Sequence, residues 1–238
     1  MSKEEPRLHH CTNFDSLRKI LESKHFRPSF CLEQSDFMNV FCEGAYAVVC
    51  FADLLNEELS RHMKSFKSNS YIVMNKNWAN NNLVSPVVYY YPNTIPSAFM
   101  KNWCEYILKK NSLEQNTDSS NELPVKNTYI MFAFMKQYKG SYFDKKKKRY
   151  SDKTCNFFLE REWRWIPHVT HGEAYYLPKE DYMNDEIQQR ELNRLIEHQL
   201  VLKFNYDDVL EIGVPFDKVC LISKLYPELS NKIKYIKP

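Results

Sequence analysis

Glycine is scarce: the 238 residues contain four, at positions 44, 140, 172 and 213. A P-loop or a dinucleotide fingerprint needs several glycines within a few residues, so that the backbone can wrap phosphates. Neither pattern exists here, so a bound nucleotide would be held by side chains and isolated backbone groups. Close cysteine pairs are also missing. The seven cysteines stand at 11, 31, 42, 50, 104, 155 and 220, and no two form C-x-x-C. Zinc ribbons and zinc deaminases need such pairs and are disfavoured. The N-terminus, MSKEEPRLHH, lacks the apolar stretch of a secretory signal. With the odd cysteine count, this points to reduced thiols in a cytoplasm. The longest apolar runs, such as Tyr46–Ala52, are far too short to span a bilayer. Net charge is +3 with 26% charged residues, too balanced to argue for nucleic acid by itself.

What is present suits a sizeable core. Hydrophobic residues make up 43% and aromatic residues 15%, and residues 1–238 read as one domain. The chain centres on Phe157–Pro167, FFLEREWRWIP. Its composition favours a strand ended by Pro167. Alternation then places Phe158, Glu160, Glu162, Arg164 and Ile166 on one face, and Phe157, Leu159, Arg161, Trp163 and Trp165 on the other. The tryptophan face reads as core. From chemistry alone, the other face reads first as a Glu162–Arg164 pair on a wet sheet surface, and second as a catalytic carboxylate.

In chain order, LHHCT at 8–12 reads as a short strand entering a helix capped by Thr12 and Asp15, with apolar Phe14, Leu17, Ile20 and Leu21, ending near Lys24. A strand turns His9 and His10 to opposite faces. Pro28–Gly44 reads as loop with a short helix. Ala45–Ala52 is the clearest buried strand, and Asp53 reads as the cap of a helix over Leu54–Phe66. Ser70–Met74 and Pro86–Tyr91 read as strands, with a brief helix around Trp78 between them. Ile95–Lys110 reads as a helix with Phe99, Trp103, Tyr106 and Ile107 on one stripe. The polar stretch Asn111–Glu122 reads as a mobile surface loop, and Pro124–Tyr138 as a helix. Lys145–Arg149, KKKKR, reads as a solvated basic loop, with a phosphate contact as the minority reading. A helix over Asn184–His198 and strands at Val201–Phe204 and Val209–Val214 follow. Pro215, Phe216 and Asp217 read as a turn opening a short helix. The order suggests an α+β fold, with mixed, mostly antiparallel sheets and packed helices.

Several motifs fail on spacing. His168-x-x-His171 has no companion ligand and reads as two surface histidines. Arg161 to His168 has the spacing of HEPN-type ribonucleases, but on strand-like composition rather than a helix. Glu160-x-Glu162 with Asp53 faintly matches a metal-dependent nuclease core lacking its lysine, so no metal is expected. Cys11 and His10 face apart on a strand and cannot pair as nucleophile and base.

The segments LHHCTNFDSLRKIL (8–21), VCFADL (49–54), SRHMKSF (60–66), SYIVMNKNWA (70–79), SPVVYY (85–90) and EREWRWIP (160–167) together resemble the AbiGi family of bacterial abortive-infection proteins, described as antitoxins. That implies a phage-defence role and a toxin, antitoxin or nucleic-acid partner, with no membrane. A second resemblance, in architecture, is to ADP-ribosyltransferases that modify nucleic acid. It implies NAD as cofactor, with His10 and Thr12 gripping its adenosine side and Tyr46 or Tyr71 stacking on nicotinamide. Glu162, with Glu160 beside it, would face the oxocarbenium-like charge formed as the glycosidic bond breaks. Three readings stand: NAD-dependent transfer to nucleic acid or protein, a non-enzymatic antitoxin or regulator, and a metal-dependent nuclease. The transfer reading requires His10 and Glu162 to share one cleft.

Overall fold

The computed structural model describes residues 7–113, 122–144, 147–167 and 175–236. Helices pack against a large sheet in an α+β fold. The sheet runs Ile233–Ile236, Val209–Pro215, Ser70–Met74, Arg7–Thr12, Val40–Leu54, Glu162–Trp165 and Ser85–Pro86. The pairing of Ile233–Ile236 with Val209–Pro215 is parallel and the rest of this path is antiparallel. That C-terminal edge strand carried no alternation signal in the sequence.

Val40–Leu54 organises the sheet. Its first part forms a hairpin with Ser29–Phe37, in register from Phe37↔Val40 to Ser29↔Val48. Its last part pairs with the N-terminal strand, from His9↔Ala52 to Arg7↔Leu54. Residues 49–51 have neither strand as partner, so the sheet forks there. The hairpin replaces the loop expected over Pro28–Gly44. Phe30, Leu32 and Phe37 are buried, but the polar residues between them hid the strand.

Alternation along Val40–Leu54 separates two layers. Ala45 and Ala47 pack with Phe30, Tyr182 and Leu195, and Val49 and Phe51 pack with Leu17, Phe26, Trp78 and Ile222. On the other face, Tyr46 and Val48 pack with Met100, Cys104, Phe132 and Ala133. Ala52 and Leu54 pack with Leu59, Met63 and Tyr71.

Helices Asn56–Ser65, Lys76–Asn81 and Asp185–Glu197 lie where their periodicity places them. Helix Phe14–Ser23 does too, but Asn13 caps it, accepting from the Ser16 N–H, rather than Thr12. Asp53 stays in its strand and ion-pairs with Lys76 at 3.0 Å instead of capping a helix. The helix predicted over Pro124–Tyr138 ends at Ala133, and Met135–Gln137 continues as a strand parallel to Val88–Tyr90. Helix Ile95–Leu113 buries Met100 and Cys104, while Phe99 and Tyr106 face solvent. Neighbouring elements, not the aromatic stripe, chose its buried side. Most of the polar loop (114–121), two of the five residues of the basic run (145–146) and His168 and His171 lie outside the described residues. No described helix is long and apolar enough to cross a membrane.

These packing differences give a direct contrast. Phe51 is buried amid Phe26, Trp78 and His10. Phe51→Ala is expected to cost about 3–5 kcal/mol in urea unfolding, as large buried aromatics do. Phe99→Ala should stay within about 0.5 kcal/mol, as exposed positions do. Equal losses would show that the helix face is reversed.

Candidate functional site

Phe157–Pro167 is not one strand. Phe157–Glu160 forms a 3-10 turn, Arg161 takes a left-handed conformation at φ 39°, and only Glu162–Trp165 pairs in the sheet. The break re-aims Arg161, which donates to the Asp53 carbonyl at 2.6 Å and pairs with Glu58. The alternation of 162–165 survives, but its burial inverts the expectation. Glu162 and Arg164 are 6% and 0% exposed, while Trp163 and Trp165 are only partly buried against the core. The charged face is not wet, because the segment Phe132–Lys136 lies over it.

Burying these charges is tolerable only because each is paired and hydrogen-bonded. Arg164 donates from Nε to Glu162 Oε1 at 2.7 Å and from Nη2 to Glu162 Oε2 at 3.0 Å. It also donates to the Ala133 carbonyl at 2.7 Å and pairs with Glu33. Lys136 donates to Glu162 Oε2 at 2.8 Å and to Glu160 Oε2 at 3.1 Å. Burial alone would raise the Glu162 carboxyl, but the Arg164 and Lys136 charges outweigh it and hold it well below the carboxylate range. Glu160 goes the other way: burial raises it, and one bond to Lys136 does not compensate. The Glu162 main-chain N–H donates to the Tyr89 hydroxyl at 2.9 Å, which fixes the strand as well as its side chain.

Glu33, Lys136, Glu160 and Glu162 border a cavity of about 860 Å³ that occupies the fork in the sheet. Its walls come from both layers: His9, Cys11, Cys50 and Ala52 share the face of Glu162 by register, and Phe30, Val49 and Phe51 share the other. His10 also borders the cavity, but its ring lies on the tryptophan side, against Phe26 and Phe51. Its Nδ1 meets the Cys50 carbonyl at 2.9 Å. A carbonyl only accepts, so Nδ1 carries the proton and supplies the donor that the fork lacks at Cys50. His10 and Glu162 thus belong to opposite faces of the sheet. The histidine on Glu162's face is His9, two strands away along the line His9↔Ala52↔Glu162. It donates from Nδ1 to the Arg7 carbonyl at 2.6 Å, and its buried Nε2 has no hydrogen-bond partner among the described residues.

The other residues that the transferase resemblance assigns stand apart from the cavity. Thr12 pairs with Ser70 further along its strand. Tyr46 lies close to the fork, where its cross-strand partner Cys31 lines the cavity, but its own ring is buried against Tyr176 instead. Tyr71 donates to Glu211 at 2.7 Å, and its ring covers Gly213, where a Cβ would lie 2.0 Å from a ring carbon. His10 and Glu162 thus border one cavity from opposite sheet faces, and Thr12 and the two tyrosines do not join them there. Among the described residues, no group of three or more His, Cys, Asp or Glu side chains is placed to hold a metal ion. Asp53, the third carboxylate of the nuclease pattern, is engaged by Lys76.

Against known families, residues 24–215 match the model described as "Putative abortive phage resistance protein AbiGi, antitoxin". The chain belongs to the AbiGi family. A relative named "Abortive phage resistance protein AbiGi", from Lactococcus lactis subsp. cremoris, is 25% identical over 227 residues. That match covers 88% of this chain and 89% of the relative. No solved structure matches. The AbiGi segment contains Glu33, Lys136, Glu160, Glu162 and Arg164, and so the whole ion network; His9 and His10 precede it.

Reading the sequence found Glu160, Glu162 and Arg164 but missed Lys136 and Glu33. Both sat in segments assigned to other structure, and only the fold brings them to Arg164. His62 was also missed. Burial foremost lowers it to about 4 from an ordinary 6.5, and burial likewise lowers His9. Folded His62 therefore stays neutral down to about pH 4, whereas the unfolded chain takes up a proton there as pH drops below about 6.5. Its contribution is complete above about pH 6.5 and is lost as pH falls toward about 4. Unfolding midpoints measured from pH 7 to 4 should fall, and less steeply in His62→Asn. An unchanged slope would place His62 in water.

Proposed function

We propose that this protein is a phage-defence component that acts by binding, as an antitoxin-type regulator, rather than by turnover. The observation behind this reading is the state of Glu162. Both oxygens are occupied, by Arg164 and by Lys136, at 2.7–3.0 Å. A carboxylate that stabilises a developing cation must have an open side toward it. Here its charge is already met by two buried cations, so it serves the fold by joining Glu162–Trp165 to the segment around Ala133 and Lys136. The family description supplies the biological setting, and "antitoxin" suggests a toxin as the partner.

NAD-dependent ADP-ribosyl transfer is the competing reading. What favours it is that Glu160 and Glu162 border a cavity of about 860 Å³, roomy for a nucleotide-sized ligand. What weighs against it is that Thr12, Tyr46 and Tyr71 do not line that cavity, and that His10 reaches it from the sheet face opposite Glu162.

Incubation with labelled NAD and cell extract separates the two. The binding reading expects no label transfer from wild type, and co-purification with a toxin when the two are expressed together. It also expects Glu162→Gln to destabilise by about 3–5 kcal/mol, because Arg164 and Lys136 lose their shared partner. Transfer by wild type, abolished in a folded Glu162→Gln protein, would overturn it in favour of the enzyme.

A further inference from the structure

The mouth of the cavity has a composition that the ion network does not use. On one rim, Arg27, Arg61 and Lys67 border the cavity and are exposed. Arg61 stands 3.9 Å from Glu58, beyond hydrogen-bond reach, and Arg27 donates to the His25 ring nitrogen at 3.4 Å, with no carboxylate within ion-pair distance among the described residues. Beside them Phe66 is 55% exposed. An exposed phenylalanine at the lip of a cavity forgoes burial that the fold could have given it.

A further part of the lining is a small lobe of two short ladders, Lys139–Gly140 with Cys155–Asn156 and Phe143–Asp144 with Arg149–Tyr150. Tyr142 borders the cavity from this lobe and is 50% exposed. The lobe is strongly basic. Its described residues, 139–144 and 147–153, hold five cationic and two acidic residues, a net of +3. The two acids lean on local cations, Asp144 at 4.0 Å from Lys147 and Asp152 at 3.5 Å from Arg149. Among the described residues, Lys139, Lys148 and Lys153 have no carboxylate within ion-pair distance. At the base of the lobe the rings of Tyr91, Tyr138 and Phe158 form a ladder. Centroids are 4.7 Å apart in both steps, and the planes are within 17° and 12° of parallel. The outer two rings are 48% and 40% exposed.

We propose that this mouth binds single-stranded nucleic acid, with phosphates on Arg27, Arg61, Lys67 and the basic lobe, and unpaired bases stacked on Phe66 and Tyr142. Cations that track a backbone, interleaved with exposed rings, are the composition such surfaces use. Stacking needs bases freed from a duplex, and the cavity behind the rings gives one room to enter. An anionic membrane would use the cations, but a flat lipid surface cannot follow a concave mouth. An acidic peptide would leave the exposed rings of Phe66 and Tyr142 without a role. The inference goes beyond the binding reading above and does not depend on whether NAD is used.

Fluorescence anisotropy with labelled oligonucleotides of about 20 residues, longer than one binding groove, tests it. The same sequence is offered as single-stranded DNA, single-stranded RNA and duplex DNA across a salt series, with phosphatidylserine vesicles as competitor. Both single strands, or one of them, should bind more tightly than the duplex; the DNA and RNA arms tell which. Phe66→Ala with Tyr142→Ala should weaken single-strand binding by about 5- to 150-fold for each ring removed, with the salt slope kept. Lys147→Ser, Lys148→Ser and Arg149→Ser together should instead flatten the slope by about 0.7 for each phosphate no longer neutralised. All five side chains are on the surface, and melting temperatures recorded alongside confirm that each variant folds. If the aromatic pair perturbs the fold, the serine variant still decides through the slope. No single-strand binding at low salt would overturn the proposal. So would equal affinity for duplex with no effect of the rings, or displacement of the oligonucleotide by vesicles.

Discussion

The buried ion network is the constraint on which the rest of the structure depends. Arg164 is fully buried and donates to Glu162, to Glu33 and to the Ala133 carbonyl. Those three groups belong to a neighbouring residue in its own strand, the front of the long hairpin, and the end of a helix. Lys136 then bridges Glu162 to Glu160. A buried guanidinium left without its acceptors is far costlier than one in water. The hairpin, the helix end and the turn before the strand must therefore arrive in one arrangement. The network contributes specificity of assembly more than net stability.

The second constraint is the fork. A strand of 15 residues, Val40–Leu54, exceeds either partner along its edge. Where one partner stops and the other has not begun, a backbone carbonyl would be stranded. His10 satisfies Cys50 there from its ring. The opening that remains is the cavity. A site made this way is lined by both layers of the molecule, which explains why it holds charges from one face and aromatic rings from the other.

These two features shape the functional reading of this AbiGi family member. The residue that looked most like a catalytic carboxylate is the centre of the scaffold. The exposed groups at the cavity lie elsewhere: the cations and rings at its mouth. Structure and reactivity are thus separated in space, with the buried charges holding the walls and the outer ones facing whatever enters.

The sequence by itself determined the α+β class, the helices at Phe14–Ser23, Asn56–Ser65 and Asp185–Glu197, and the strands at Arg7–Thr12 and Ser70–Met74. It also determined that Glu162 and Arg164 share a face, because a strand alternates whatever its surroundings. These are local properties, set by spacing and caps within a few residues. It did not determine which face would be buried. Trp163 and Trp165 carried the stronger apolar signal, yet the charged pair is deeper, because Glu33 and Lys136, 131 and 26 residues away from their partners, close over it. The break at Arg161, the hairpin hidden under polar residues and the opposite faces of His10 and Glu162 were likewise decided by tertiary structure. Burial of a charge depends on which partners the fold delivers, and that information is spread along the whole chain rather than held in any one stretch of it.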